Sequence, residues 1–390
     1  MKNKLAVISA IDITLKVLLL AQIKAAQKAG YKVYGVCSKG PNFDFLKEQE
    51  IEMFPVKIKR SISPFCDLAA LWQIYQFLKR EKIDIVHTHT PKVSLIGQLA
   101  AKLAGVKVIV NTVHGFYFHD NMKPWKKWFY IAMEWIAGKC STVILSQNPE
   151  DVETAIKYGI CPGEKIKCLG NGIDLTKFDP GRFDADFRIK KRSEIGVPAD
   201  AVVIGIIGRL VKEKGYLELF EAFRDILKKH DHVWLIIIGP EEPEKADRIS
   251  PNTFKEYGIQ DRVCYMGGRE DIPELLSCCD IYTLPSWREG FPRSAIEAAA
   301  MGLPIVATDI RGCRQVVEHE RNGLLVPVKN PQKLAQALLR FIDDREFSKR
   351  SGIFSREKAL REFDEKNVVN IVLTEYQKAL TNIPDREIKH

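Results

Sequence analysis

Short apolar runs alternate along this chain with longer stretches in which apolar residues recur at helical spacing. That alternation predicts parallel sheets with helices on both faces. Strands are expected at 5–10, 33–37, 83–87, 106–112 and 142–146, with helices near 14–29, 65–81, 93–104, 124–138 and 150–157. The segment 172–200 interrupts the pattern: it holds Pro180, Pro198, several glycines and many charges, without a sustained apolar period, and reads as a crossing between domains. The alternation then resumes, with strands at 202–207, 234–238, 263–266, 281–284, 305–307 and 323–326. Helices near 215–229, 292–301, 331–342 and 346–361 fill the gaps. The pattern therefore gives two doubly wound α/β units, at 1–175 and 176–365. An amphipathic final helix, about 366–390, is free to pack back on the first.

Length agrees with two units, since 390 residues exceed one ordinary core. A two-domain chain implies a cleft, where ligands collect. Apolar residues at 46% and charged residues at 28% exclude disordered and fibrous classes. Lys2 and Lys4 precede an apolar stretch, as in a signal peptide, but Asp12 and Lys16 interrupt it and no convincing cleavage site follows. Nine scattered cysteines, with no C-x-x-C pair, suggest a reduced, cytoplasmic protein without a zinc site. The net charge of +9 is unevenly placed. Residues 1–172 carry 24 Lys and Arg against 14 Asp and Glu, and the remainder is close to neutral. A basic first half points to an anionic partner, or simply to a lysine-rich solvated surface.

In doubly wound sheets ligands gather beyond the carboxyl ends of the strands, so the loops there are the candidates for chemistry. Gly208-Arg209-Leu210-Val211-Lys212-Glu213-Lys214-Gly215 follows a strand and sets two cations before a helix. Arg209 could grip a diphosphate bidentately and Lys214 could add a point charge, or the loop could close on a salt bridge to Glu213. A second loop runs from Pro285 through Glu289-Gly290-Phe291-Pro292 to Glu297. Pro292 is expected in the first helical turn, leaving the Gly290 and Phe291 amides at a helix N-terminus where phosphate is attracted. Glu289 and Glu297 could accept hydrogen bonds from sugar and ribose hydroxyls, although Glu297 could equally be a solvated helix residue. In the first domain, Val113-His114-Gly115 ends a strand, and His114 could reach a substrate. His87 and His89, at an earlier strand end, are secondary candidates. Asp184-Ala185-Asp186 is formally a metal-binding D-x-D pair but lies in the crossing segment, and no G-x-G-x-x-G follows a strand.

Together, Gly208-Arg209-Leu210, Lys214-Gly215, the Glu289-Gly290-Phe291-Pro292 to Glu297 block, Asn171-Gly172-Ile173-Asp174 and Val113-His114-Gly115 resemble the retaining glycosyltransferases of family 4 over nearly the whole chain. The resemblance implies the GT-B fold, two Rossmann-like domains facing across a cleft, with acceptor bound by the first and nucleotide-sugar by the second. It implies that Arg209 and Lys214 neutralise the leaving nucleoside diphosphate without a metal or cofactor. By the same resemblance Glu289 holds the donor sugar, Glu297 the ribose, Gly208, Gly290 and Phe291 help position the donor, and His114 contacts the sugar. Retention by front-face attack and a UDP-linked hexose or N-acetylhexosamine donor follow in the same way. One departure stands out: Ser9-Ala10-Ile11-Asp12-Ile13-Thr14, after the first strand, lacks the glycines many members carry there.

Met122-Lys123-Pro124-Trp125-Lys126-Lys127-Trp128-Phe129-Tyr130 interleaves lysines and aromatics, as in a segment lying on an anionic membrane surface, or as in a core helix with a lysine-rich outer face. With the basic first half, it suggests an enzyme attached peripherally to the inner face of the membrane. Its acceptor would be a saccharide, free or linked to polyprenyl diphosphate, in cell-surface polysaccharide assembly; no nucleic acid partner is expected. A sugar-nucleotide epimerase on the same scaffold and a non-catalytic anion-binding protein are the competing readings.

Overall fold

A computed structural model describes residues 2–58, 63–118 and 122–382. The chain divides into two compact units, Met1–Gly170 with Lys366–His390, and Asn171–Glu365. The first holds seven parallel strands: β1 (Lys4–Ile11), β2 (Lys32–Ser38), β3 (Glu52–Pro55), β4 (Ile85–His89), β5 (Val108–Val113), β6 (Val143–Ser146) and β7 (Ile166–Cys168). Their order is β3-β2-β1-β4-β5-β6-β7. The second unit holds β8 (Val202–Ile207), β9 (Val233–Ile238), β10 (Val263–Tyr265), β11 (Ile281–Leu284), β12 (Ile305–Thr308) and β13 (Gly323–Val326), in the order β10-β9-β8-β11-β12-β13. In both sheets the winding direction reverses beside the first strand, between β1 and β4 and between β8 and β11. Such switch points leave a crevice at the carboxyl ends.

The central strands form because they are apolar on both faces; β11 and β12 are buried at every position, as helix-covered parallel strands must be. The edge strands β3 and β7 escaped the sequence pattern because they are four and three residues long and partly exposed. Helix Ala185–Glu194, inside the segment read as an irregular crossing, was missed for a different reason. Its inward anchor is an arginine. Arg192 is buried and donates to the carbonyls of Cys278, Ala199 and Ala201 and to Asp280 Oδ2, at 2.8–3.0 Å. The D-x-D carboxylates begin this helix: Asp184 Oδ1 caps it by accepting from the Phe187 amide at 2.8 Å.

The absence of glycine after β1 also has a structural cause. There is no loop: the strand runs to Ile11 and a helix starts at Asp12, continuing through a π-helical turn at Leu15–Leu19. The buried Asp12 carboxylate accepts from the amides of Ile13 (2.8 Å) and Asn42 (2.6 Å), tying this junction to the segment after β2.

The last helix, Glu365–Thr381, packs Val372, Tyr376 and Ala379 into the first unit's core beside Leu5, Leu19 and Val108. Residues 383–390, to which the sequence extended it, lie outside the described residues. Where the chain enters and leaves the second unit, Ile173 N donates to Phe363 O (2.9 Å) and Glu365 N to Ile173 O (3.1 Å). Among the described residues no helix is long and apolar enough to cross a membrane.

Helix Pro124–Cys140 turns its one acid, Glu134, into the protein. Burial, reinforced by the charge of Asp151, raises this carboxyl to about 8. The folded chain therefore keeps a proton that the unfolded chain releases near 4.5, so this residue erodes stability as pH rises from about 4.5 to about 8. Glu134→Gln should leave Tm nearly unchanged at pH 5 and raise it relative to the parent by pH 8. A difference that stays constant over that range in calorimetry would show that Glu134 carries no extra proton into the fold.

Candidate functional site

Four segments of the second unit build the site, all at the carboxyl edge of its sheet. Beyond β8, Gly208 N donates to Ile238 O (2.9 Å) and Leu210 N to Pro240 O (3.0 Å), which fastens the chain to the end of β9. The buried Tyr216 hydroxyl donates to Gly208 O at 2.7 Å and locks the turn from below. A tight helical turn, Lys212–Lys214, then brings Gly215 against the loop after β11. At Gly215, with φ of 74°, a Cβ would lie 2.0 Å from Pro285 O, so any side chain there would push the two loops apart. The Trp287 amide donates to Glu213 O (2.9 Å), and its indole Nε1 donates to Glu218 Oε1 (2.9 Å).

This closeness joins two of the sequence-predicted residues directly. Lys214 Nζ lies 2.6 Å from Glu289 Oε1, with both side chains largely buried. Arg209 is held more loosely, at 3.3 Å from Glu213 and 3.4 Å from Glu242, both beyond the 2.7–2.9 Å typical of a strong charge-assisted bond. The salt bridge to Glu213 that the sequence allowed is therefore present and weak. An arginine has five N–H donors and an ammonium three, so both cations keep donors to offer an anion. Glu242 was missed by the sequence reading, although it lies just after a strand end, where the same rule would have found it.

The helix after β11 begins at Arg293, and Pro292 precedes it in an extended conformation (φ −73°, ψ 103°), which corrects the expected first-turn proline. The Pro292 carbonyl instead receives the amides of Ala295 and Ile296, at 3.1 and 3.2 Å. The amides opening this helix are thus those of Arg293 and Ser294, while Gly290 and Phe291 stand in the loop ahead of it. Phe291 packs on the core, edge-on to Phe363, and its carbonyl accepts from Asn171 Nδ2 at 3.3 Å. Glu297 is not a solvated helix residue: its side chain is 13% exposed and bonded to Arg293 at 3.2 Å. Burial raises its pKa, and the charges of Arg293 and Lys177 oppose that rise. Burial holds the Tyr282 phenol well above its ordinary range, and the charges of Glu297 and Glu289 add to that rise. A cavity of about 770 Å³ opens at the opposite edge, against Val202, Ile281 and Pro304; none of the predicted residues lines it.

In the first unit His114 stands at the end of β5, in a chain of neutral rings. Its Nδ1 lies 3.1 Å from Gln147 Oε1 and its Nε2 3.0 Å from His89 Nδ1. His87, its ring centre 4.2 Å from that of His89 and tilted 33° to it, bonds Tyr376 and Thr112. Burial lowers all three imidazoles, His87 to about 3. His114 therefore has both ring nitrogens engaged, and it can serve a substrate hydroxyl only by giving up one of these partners.

Known proteins resemble this chain in both of its units. Residues 187–358 match the family described as glycosyl transferases group 1, and residues 6–148 match glycosyl transferase 4-like domains. The chain is 34% identical over 314 residues to an Escherichia coli UDP-Gal:alpha-D-GlcNAc-diphosphoundecaprenol alpha-1,3-galactosyltransferase, covering 80% of each protein. It is 28% identical to the capsular polysaccharide biosynthesis glycosyltransferase CapM of Staphylococcus aureus, over 89% of this chain and 90% of that one. Its fold matches Anabaena HepE, solved with UDP and glucose, at a TM-score of 0.81 and 21% identity, over 96% of this chain and all of that one (100%).

The junction of the two loops can be tested without any substrate. Gly215→Ala should cost about 1–3 kcal/mol, the range for a residue forced into strained backbone, read by denaturant titration. An unchanged midpoint would show that the loops have room to separate.

Proposed function

The chain belongs to the group 1 glycosyl transferases, and from that we propose that it moves a hexose or N-acetylhexosamine from a UDP-sugar to a saccharide carried on polyprenyl diphosphate. The same proposal includes retention of configuration, independence of divalent metal and a place on the cytoplasmic face of the membrane. The observation that carries it is the Lys214–Glu289 pair at the β8/β11 switch point, with Arg209 beside it.

In this reading the diphosphate sits against Arg209 and Lys214. Breaking the bond between the anomeric carbon and the phosphate oxygen leaves negative charge on that oxygen. Lys214, fixed by Glu289, and Arg209, free to turn onto the anion, stabilise it there with little solvent reorganisation, which is the usual source of such rate enhancement. The acceptor hydroxyl attacks from the same face, and its proton passes to the departing phosphate. Glu289, held by Lys214, would accept from sugar hydroxyls. Glu297 would accept from the ribose, Gly208, Gly290 and Phe291 would shape the donor's backbone contacts, and His114 would take a substrate hydroxyl. The E. coli relative's lipid-linked acceptor and the S. aureus relative's capsular role support the acceptor class.

Lys214→Ala and Glu289→Ala should each lower transfer by about 10²–10³ while circular dichroism stays native. Among UDP-, GDP- and ADP-sugars, the UDP series should give the largest thermal shift, and a chelator should leave turnover unchanged. Full activity in either variant removes that residue's role. Turnover lost with chelator and restored only by magnesium or manganese removes the metal-free reading.

A further inference from the structure

Helix Pro124–Cys140 is built inside out. Its buried side holds Ile131, Glu134, Ala137 and Gly138. Its outer side holds Trp125, Trp128, Phe129, Trp135 and Ile136, which are 66, 61, 47, 46 and 41% exposed. These positions fall on one face at helical spacing. An amphipathic helix of a globular domain normally turns such a stripe inward, and single exposed apolar residues need no explanation, but a contiguous aromatic stripe does. The lysine-rich outer face that the sequence allowed is therefore only half of what is found, because the aromatics lie outside as well.

The charges on this helix are arranged to match. Lys127 is half-buried and packs over the Tyr158 ring at 5.0 Å, but Lys123, Lys126 and Lys139 are exposed along the stripe, and Lys126 and Lys139 each sit 5.4 Å from an exposed indole, those of Trp125 and Trp135. The one acid of the helix, Glu134, faces away from them. Nothing acidic on the helix thus opposes an anionic surface.

We propose that this face lies flat on an anionic bilayer, with the indoles at headgroup depth and the lysines on lipid phosphates. Tryptophan's apolar ring with a polar N–H, and lysine's long stem with a charged tip, are the side chains suited to that boundary. Charge complementarity selects this occupant over a second copy of the chain. A two-fold dimer through this face would bring two all-positive collars together, and the surrounding 172 residues are themselves basic. Helix Pro64–Glu81, which packs on the same helix (Pro91–Ala104) as Pro124–Cys140 does, also exposes Phe65, Leu68 and Trp72. The inference rests on the lipid-linked acceptor reading for its purpose, but not for its test.

The test is flotation of the full chain with phosphatidylglycerol-rich and with pure phosphatidylcholine vesicles. The parent should float with the first, remain behind with the second, and be released by high salt. Trp125→Ala/Phe129→Ala/Trp135→Ala, all exposed positions, should lose at least about tenfold in partitioning, as expected when buried apolar area is removed from the interface. It should keep its activity on a short-chain, water-miscible acceptor and lose activity on the long-chain acceptor in vesicles. A parent that stays with the aqueous layer, or a triple variant that floats as well as the parent, overturns the proposal. So does a dimer, seen by sedimentation, that the same substitutions dissolve. Vesicle binding without transfer to any acceptor would leave this surface standing and defeat the enzymatic reading instead.

Discussion

Two loops from neighbouring strands can share a ligand only if something fixes the distance between them, and here that constraint is the ion pair of Lys214 with Glu289. The pair joins the loop after β8 to the loop after β11 across the point where the sheet changes winding direction. Largely removed from water, it is screened far less than a surface pair. The approach it requires is permitted by a glycine against the Pro285 carbonyl and reinforced by the Trp287 amide on Glu213. Removing either partner would leave an uncompensated charge in a confined place, which costs more than the pair itself contributes.

The neighbouring groups divide into tight and loose by bond length. Arg209 is held by contacts of 3.3 and 3.4 Å, whereas Lys214 is held at 2.6 Å. The site thus combines one fixed cation with one that can reorient toward an arriving anion. The first unit offers the opposite chemistry at its own strand ends. His87, His89 and His114 are driven neutral by burial and bonded to one another or to uncharged groups. Neutral imidazoles suit hydroxyl recognition, as charged ones suit phosphates.

What the sequence could reveal followed from how each feature is encoded. The central strands are runs of apolar side chains, so β8, β11 and β13 were legible to the residue, and so were the loops that follow β8 and β11. The features that stayed hidden depend on groups a hydropathy pattern does not register. Helix Ala185–Glu194 is anchored by a guanidinium bonded to backbone carbonyls, β3 and β7 are too short to show a period, and the turn after β1 is replaced by a carboxylate that binds two amides. The pairing of Lys214 with Glu289 was equally unreadable, because 75 positions separate them and only the folded sheet brings them together. Pro292 was misplaced by a single position, since a proline fits both the first helical turn and the residue before it.

The paired crossings at Ile173 and Phe363–Glu365 carry a consequence for how such chains can be recombined. The second unit begins and ends at two adjacent points, so it is inserted within the first as a cassette, and the closing helix 366–381 completes the host by placing Tyr376 on His87. Grafting a foreign second unit into this host therefore means replacing both joints at once and returning the native tail afterwards. A simple front-half, back-half fusion would deprive the host core of its last helix and strip a buried imidazole of its phenol.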